Sequence, residues 1–203
     1  FEAIKESIPI AKQVSMERIR DEFMKLLLNS PKPSKGIDLM RECGLLQIFL
    51  PELLEGYGVE QKLYHTHDVY WHSLKTCDYA QDSVKLAALL HDIAKPRTDM
   101  GNGHFYGHDV MGVEMVDTIM KRLKFSKTEI ERVKRLVRNH MFYYPHSQQD
   151  GNSKEELLPS QWSDSAIRRF LNRVGEENVE DLFKLRIADA TANPNSPFDP
   201  EEI

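Results

Sequence analysis

Apolar residues recur three and four positions apart along nearly the whole chain, and that spacing lines one face of an α-helix. Ile19, Phe23, Leu26 and Leu27 make one such face, opening after Ser15, whose hydroxyl suits a helix N-cap. A short helix is predicted from Ile37 to Cys43, with Gly44 placed to end it. The apolar run Leu45 to Leu54 is interrupted by Pro51. Further helices are predicted over Asp68–Tyr79, Ser83–Lys95, Asp109–Leu123, Ser126 to about His140, Ser163–Val174 and Asn178–Ala192. Pro96 stops the second of these, and Ser126 with Glu129 forms a capping box. No alternating apolar–polar stretch of strand length occurs, so the expected fold class is all-α.

Between the periodic segments, Gly56-Tyr57-Gly58 reads as a flexible break that divides residues 1–60 from 61–203. Thr98–Gly107 reads as a loop, Pro145–Pro159 as a surface loop with few hydrophobes, and the tail from Asn193 as loosely held. The 203 residues, 40% hydrophobic and 29% charged, suffice for one large helical domain or a domain with a smaller appendage. No apolar run approaches the roughly eighteen residues of a membrane helix, and charges break up Phe1–Ser15, against a signal peptide. Cys43 and Cys77 have no CxxC partner and fit small buried residues in a reducing cytoplasm. The chain opens on Phe1, not Met, and reads as part of something longer.

A net charge of −5 excludes a polycation that grips nucleic acid through its whole surface. Basic residues are nonetheless dense from Lys121 to Arg138, which is either a solvated helix face or a surface for phosphates.

Chemistry concentrates in the eight histidines. His91 and Asp92 stand in Leu86-Ala87-Ala88-Leu89-Leu90-His91-Asp92-Ile93-Ala94-Lys95, a run apolar enough to be buried. On a helix the two would point about 100° apart, so one should lie near the edge of that buried surface. Burying a carboxylate beside an imidazole is costly without a cation or a hydrogen-bonding partner. A metal ion answers that cost; a His–Asp pair that satisfies itself is the alternative. His72 lies among the aromatic residues of Val69-Tyr70-Trp71-His72, and Asp189 among the small and apolar ones of Ile187-Ala188-Asp189-Ala190.

The order His72, His91-Asp92, Asp189, with the block Leu89-Leu90-His91-Asp92-Ile93-Ala94-Lys95-Pro96, resembles the signature of the HD phosphohydrolase superfamily. The resemblance implies a helical bundle in which these four residues bind a divalent ion, with His91, Asp92 and Lys95 at the reacting centre. In members with two ions, histidines placed like His108 and His140 bind the second. Nitrogen and oxygen donors without a thiolate favour Mg, Mn, Fe, Co or Ni, in one ion or two. Lys95, Arg186, and Arg135 and Arg138 of the basic run are candidates to meet substrate phosphates. His67-Asp68 and His108-Asp109 are further HD dipeptides without the apolar run; Asp68, one turn before His72, could orient that ligand. His104 and His146 fall in loops, to contact substrate or nothing.

The front of the chain carries a second resemblance. Ser15-Met16-Glu17-Arg18-Ile19-Arg20-Asp21-Glu22-Phe23, then Gly36-Ile37-Asp38-Leu39-Met40 through Leu50-Pro51-Glu52-Leu53, looks like the neck and body of the tRNA nucleotidyltransferase and poly(A) polymerase family. Some bacterial members lead from there into an HD domain, which His65-Thr66-His67-Asp68-Val69-Tyr70-Trp71-His72 would begin. The resemblance implies a tRNA partner and a substrate phosphate on a nucleotide or RNA end. The family's catalytic head needs a D-x-D pair and a glycine-rich turn, both missing here, so nucleotidyl transfer is not expected of this chain. A non-catalytic tRNA-binding body with a structural or regulatory metal site, and a stand-alone HD nucleotidase, are the other readings.

Overall fold

Residues that satisfy the end groups of each helix set where it starts and stops. The computed structural model describes residues 2–61, 66–101, 103–142 and 163–195, and among these every regular element is helical. The all-α expectation holds. Short helices α1 (Glu2–Glu6) and α2 (Ile8–Ala11) precede α3 (Met16–Asn29), whose N-cap Ser15 accepts the Arg18 amide at 3.4 Å. Helix α4 (Pro33–Cys43) starts earlier than expected because Pro33 presets the φ of a first turn, and Gly44 ends it at φ 84°. Pro51 splits the following apolar run into α5 (Leu46–Phe49) and α6 (Pro51–Leu54). Then come α7 (Val69–Tyr79), α8 (Lys85–Leu90), α9 (His108–Arg122), α10 (Lys127–Asn139), α11 (Asp164–Val174) and α12 (Glu176–Ala192). Both halves of the Ser126–Glu129 capping box are present. The Pro145–Pro159 stretch and the tail beyond residue 195 lie outside the described residues.

One expected helix is broken. Ser83–Lys95 is not continuous: α8 stops at Leu90, and 3-10 turns cover Asp82–Val84 and Lys95–Thr98. Pro96 lacks an amide hydrogen, and in an α-helix its ring would strike the Asp92 carbonyl. The chain tightens instead, with the Ile93 amide bonding the Leu90 carbonyl at 3.2 Å and that of Lys95 bonding Asp92 at 3.0 Å. His91 and Asp92 therefore occupy a tightened turn, and neither reaches the surface: each is 1% exposed.

The Gly56–Gly58 break is a clamped turn, where a flexible one was expected. The Gly56 carbonyl accepts the Tyr70 amide at 3.1 Å, and the Gly58 amide donates to Asp68 Oδ2 at 2.8 Å. A Cβ on Gly56 would meet the Tyr70 nitrogen at 3.0 Å, tighter than ordinary contact, so a side chain there would press the two segments apart. The core runs across the break: Phe23, Leu27, Ile37 and Phe49 belong to the same buried cluster as Leu74, Leu89, Leu136 and Leu185. Within it α7 packs on α4, α8 and α12, and α10 packs on α9 and α12. This arrangement turns the histidine-bearing ends of α7, α9 and α10 and the turn after α8 toward one point. Among the described residues no helix is long and apolar enough to cross a membrane.

Candidate metal centre

Five segments supply the site. His72 lies in α7, His91 and Asp92 in the turn after α8, His108 at the start of α9, His140 at the end of α10, and Asp189 near the end of α12. All are buried except Asp189, whose side chain keeps 16% exposure. Asp92 is the hub. Its Oδ2 stands 3.0 Å from His91 Nε2 and 3.6 Å from His72 Nε2. Its Oδ1 stands 3.5 Å from His108 Nε2 and 3.6 Å from His140 Nε2. Asp189 Oδ1 closes the first group, 3.0 Å from His72 Nε2 and 3.7 Å from His91 Nε2. Two trios, His72-His91-Asp92 and Asp92-His108-His140, are thus positioned to hold a metal ion.

The imidazoles are oriented by the main chain. His91 Nδ1 lies 2.7 Å from the Ala88 carbonyl, His108 Nδ1 2.7 Å from that of Phe105, and His140 Nδ1 2.6 Å from that of Val137. A carbonyl oxygen only accepts, so each Nδ1 carries a hydrogen, and a ring in its neutral form turns the Nε2 lone pair inward. This is the tautomer a metal ligand needs. His72 and His91 then face each other Nε2 to Nε2 at 3.3 Å, as do His108 and His140 at 3.3 Å. Metal–nitrogen bonds of about 2.0–2.1 Å place two neighbouring ligand nitrogens ~3.0–3.4 Å apart, so both pairs fit. Asp92 Oδ1 is buried with no hydrogen-bond partner, a cost that a cation between it and the second histidine pair would remove.

Electrostatics keep the carboxylates charged. Burial alone would raise Asp92, but His91 and Lys95 outweigh it and hold the carboxyl well below its usual range. Asp189 is likewise pushed up by burial and held low by its bond to His72 and the charge of His91. Burial lowers His72 and His108 despite the nearby carboxylates, which favours the neutral, ligating ring. At His91 the balance reverses: burial pulls the ring down, yet Asp92 and Asp189 raise it.

Lys95 enters the centre, its Nζ 2.6 Å from Asp92 Oδ2 and 2.6 Å from Gln61 Oε1. Gln61 has no place in the sequence reading, because nothing near it in the chain marks a glutamine as a partner for a lysine so far along. Arg186 Nη1 bonds Asp189 Oδ2 at 3.0 Å, on the oxygen opposite the one facing His72. Arg135 and Arg138 lie together along a surface groove of ≈ 600 Å³ between α9, α10 and α11, with Glu177 and Asp109 as their respective partners. Of the basic run, Lys121, Arg122, Arg132 and Lys134 are ion-paired too, so most of its charge is answered within the fold. Asp68 does not orient His72: its Oδ1 caps α7 on the Trp71 amide at 2.7 Å while Oδ2 takes Gly58. His67 and His104 are exposed. His65 and His146 lie outside the described residues.

A family model described as the HD domain matches residues 63–193. The chain belongs to the HD-domain family. Ahead of that domain, a model described as "Probable RNA and SrmB-binding site of polymerase A" matches residues 1–56, the order that the two resemblances implied. The HD-containing chain is 35% identical to the A-adding tRNA nucleotidyltransferase of Deinococcus radiodurans over 188 residues, 87% of this chain and 39% of that protein. The CC-adding tRNA nucleotidyltransferase of Thermus thermophilus is 33% identical over 188 residues, again 87% and 39%. The Multifunctional CCA protein of Neisseria meningitidis serogroup C is 35% identical over 162 residues, 71% and 38%. The chain thus spans about two-fifths of the length of these relatives.

Proposed function

We propose that this HD domain is a metal-dependent phosphohydrolase or phosphodiesterase acting on nucleotide or RNA-end phosphates within a tRNA nucleotidyltransferase-like protein. The observation that carries the reading is the division of Asp92, with one carboxylate oxygen toward each histidine pair. His72, His91, Asp92 and Asp189 would hold one divalent ion, and Asp92, His108 and His140 a second. Nitrogen and oxygen donors favour Mg, Mn, Ni, Co or Fe. When bound, such ions supply positive charge against phosphoryl oxygens and make water more acidic.

The chain's own residues do the rest. Lys95 brings an ammonium to the edge of the site, where it balances Asp92 and can turn to a phosphate oxygen. Arg186 holds Asp189 in the orientation that faces His72. Arg135 and Arg138 flank the approach past α9 and α10 and would meet more distant phosphates of an RNA by exchanging their carboxylate partners. The matched RNA-binding segment and the tRNA-acting relatives support tRNA as the partner.

The test is release of product from bis-p-nitrophenyl phosphate or 2′,3′-cyclic AMP with Mn²⁺, Ni²⁺ or Mg²⁺. Wild type inactive with all three metals overturns the reading, and full activity in Asp92→Ala overturns the site.

A further inference from the structure

Large apolar side chains left in solvent gather beside the second histidine pair. Tyr106, Val110 and Met111 fall within three residues of His108, Met141 follows His140, and all four are exposed, Tyr106 to 74%. Tyr106 differs from the others because its ring is already stacked, parallel to His104 within 13° at a centroid distance of 5.5 Å.

The residue between those two, Phe105, reaches the metal centre. The Phe105 ring lies 5.7 Å from Lys95 Nζ, and the Phe105 carbonyl holds His108 Nδ1 at 2.7 Å. One tripeptide therefore anchors the metal centre from its middle residue and displays a flat aromatic stack from its flanking ones. Gly103 and Gly107 bracket it at φ 74° and 75°, values that side-chain-bearing residues seldom adopt, so the backbone itself sets the display. Chain geometry keeps the Tyr106 Cα within about 7 Å of the His108 Cα.

We propose that the His104–Tyr106 stack is a nucleobase platform. The substrate class is then nucleoside phosphates, free or at an RNA end, with the phosphate beside Lys95 and the base laid on Tyr106. The proposal rests on the phosphohydrolase reading of the centre and adds the group that selects nucleotides over other phosphate esters. An aromatic face accepts any base, so purines and pyrimidines both gain. An exposed ring a residue or two from a ligand also recovers buried area when a base covers it.

Calorimetric titration of the Mn²⁺-supplemented chain with AMP and with ribose 5-phosphate tests this. AMP should bind about tenfold more tightly than ribose 5-phosphate. Tyr106→Ala should remove that preference without weakening ribose 5-phosphate, and Tyr106→Phe should keep it. Equal binding of the two ligands by wild type, or an intact preference in Tyr106→Ala, overturns the platform and leaves the phosphohydrolase reading standing. Binding of neither ligand overturns both.

Discussion

The Nε2 atoms of His108 and His140 face each other at 3.3 Å, and each Nδ1 stands against a main-chain carbonyl, so neutral rings turn both Nε2 lone pairs to one point. Two lone pairs so placed repel, and a cation between them turns the repulsion into coordination. Metal should therefore stabilise the fold as well as arm it. Ligand at a hundred times its Kd adds about 2.7 kcal/mol, or ~5–10 °C in Tm for a domain of this size. Thermal unfolding with Mn²⁺ against EDTA measures it, and identical transitions would contradict the assignment.

Arg186 meets the metal centre at Asp189. Removing the guanidinium in Arg186→Met leaves Asp189 free to turn from His72. Metal affinity at the first group should fall about 10- to 100-fold while the His108–His140 group is unaffected. Loss at both groups would show that Arg186 supports the fold instead.

Glu52 and Arg122 join the front segment to α9 through a bidentate pair at 2.6 and 2.8 Å. Burial raises the Glu52 carboxyl, but Arg122 outweighs it, and the group sits below its ordinary 4.5. With a depressed folded value, the unfolded chain takes up the proton first. The pair's contribution is whole above about pH 4.5 and drains away as pH falls through the lower folded value. Glu52→Gln should cost about 2 kcal/mol at pH 7, and the gap to wild type should be narrower at pH 4. Denaturant titrations at the two pH values check both.

Phe49 lies in the front segment yet is buried in the same cluster as Leu74 and Leu185, edge-on to Phe23 at 5.2 Å. Phe49→Ala should destabilise by ~3–5 kcal/mol and shift one cooperative transition that includes the Trp71 signal from α7. Two separate transitions, with Trp71 unmoved, would mean that the front segment folds independently.

His72, His91, Asp92 and Asp189 were legible because a polar residue in an apolar helical run needs a partner, and periodicity shows the run. The caps at Ser15 and Ser126 were legible because capping is settled within four residues. What escaped depends on distance along the chain. Arg122 finds Glu52, and Arg132 finds Asp181, only once the helices pack, so the basic run looked more available for phosphates than it is. Gln61 meets Lys95 for the same reason. The tightening around His91-Asp92 leaves no mark in the periodicity, because Pro96 both ends a helix and alters the turn ahead of it.

The central claim is that Asp92 is shared between two ions, and metal stoichiometry tests it most directly. Calorimetric titration with Mn²⁺ should give two sites per chain in wild type, one in His140→Ala, and at least a hundredfold weaker binding in Asp92→Ala. A wild type that binds no metal, or an Asp92→Ala variant that binds as wild type does, would contradict it.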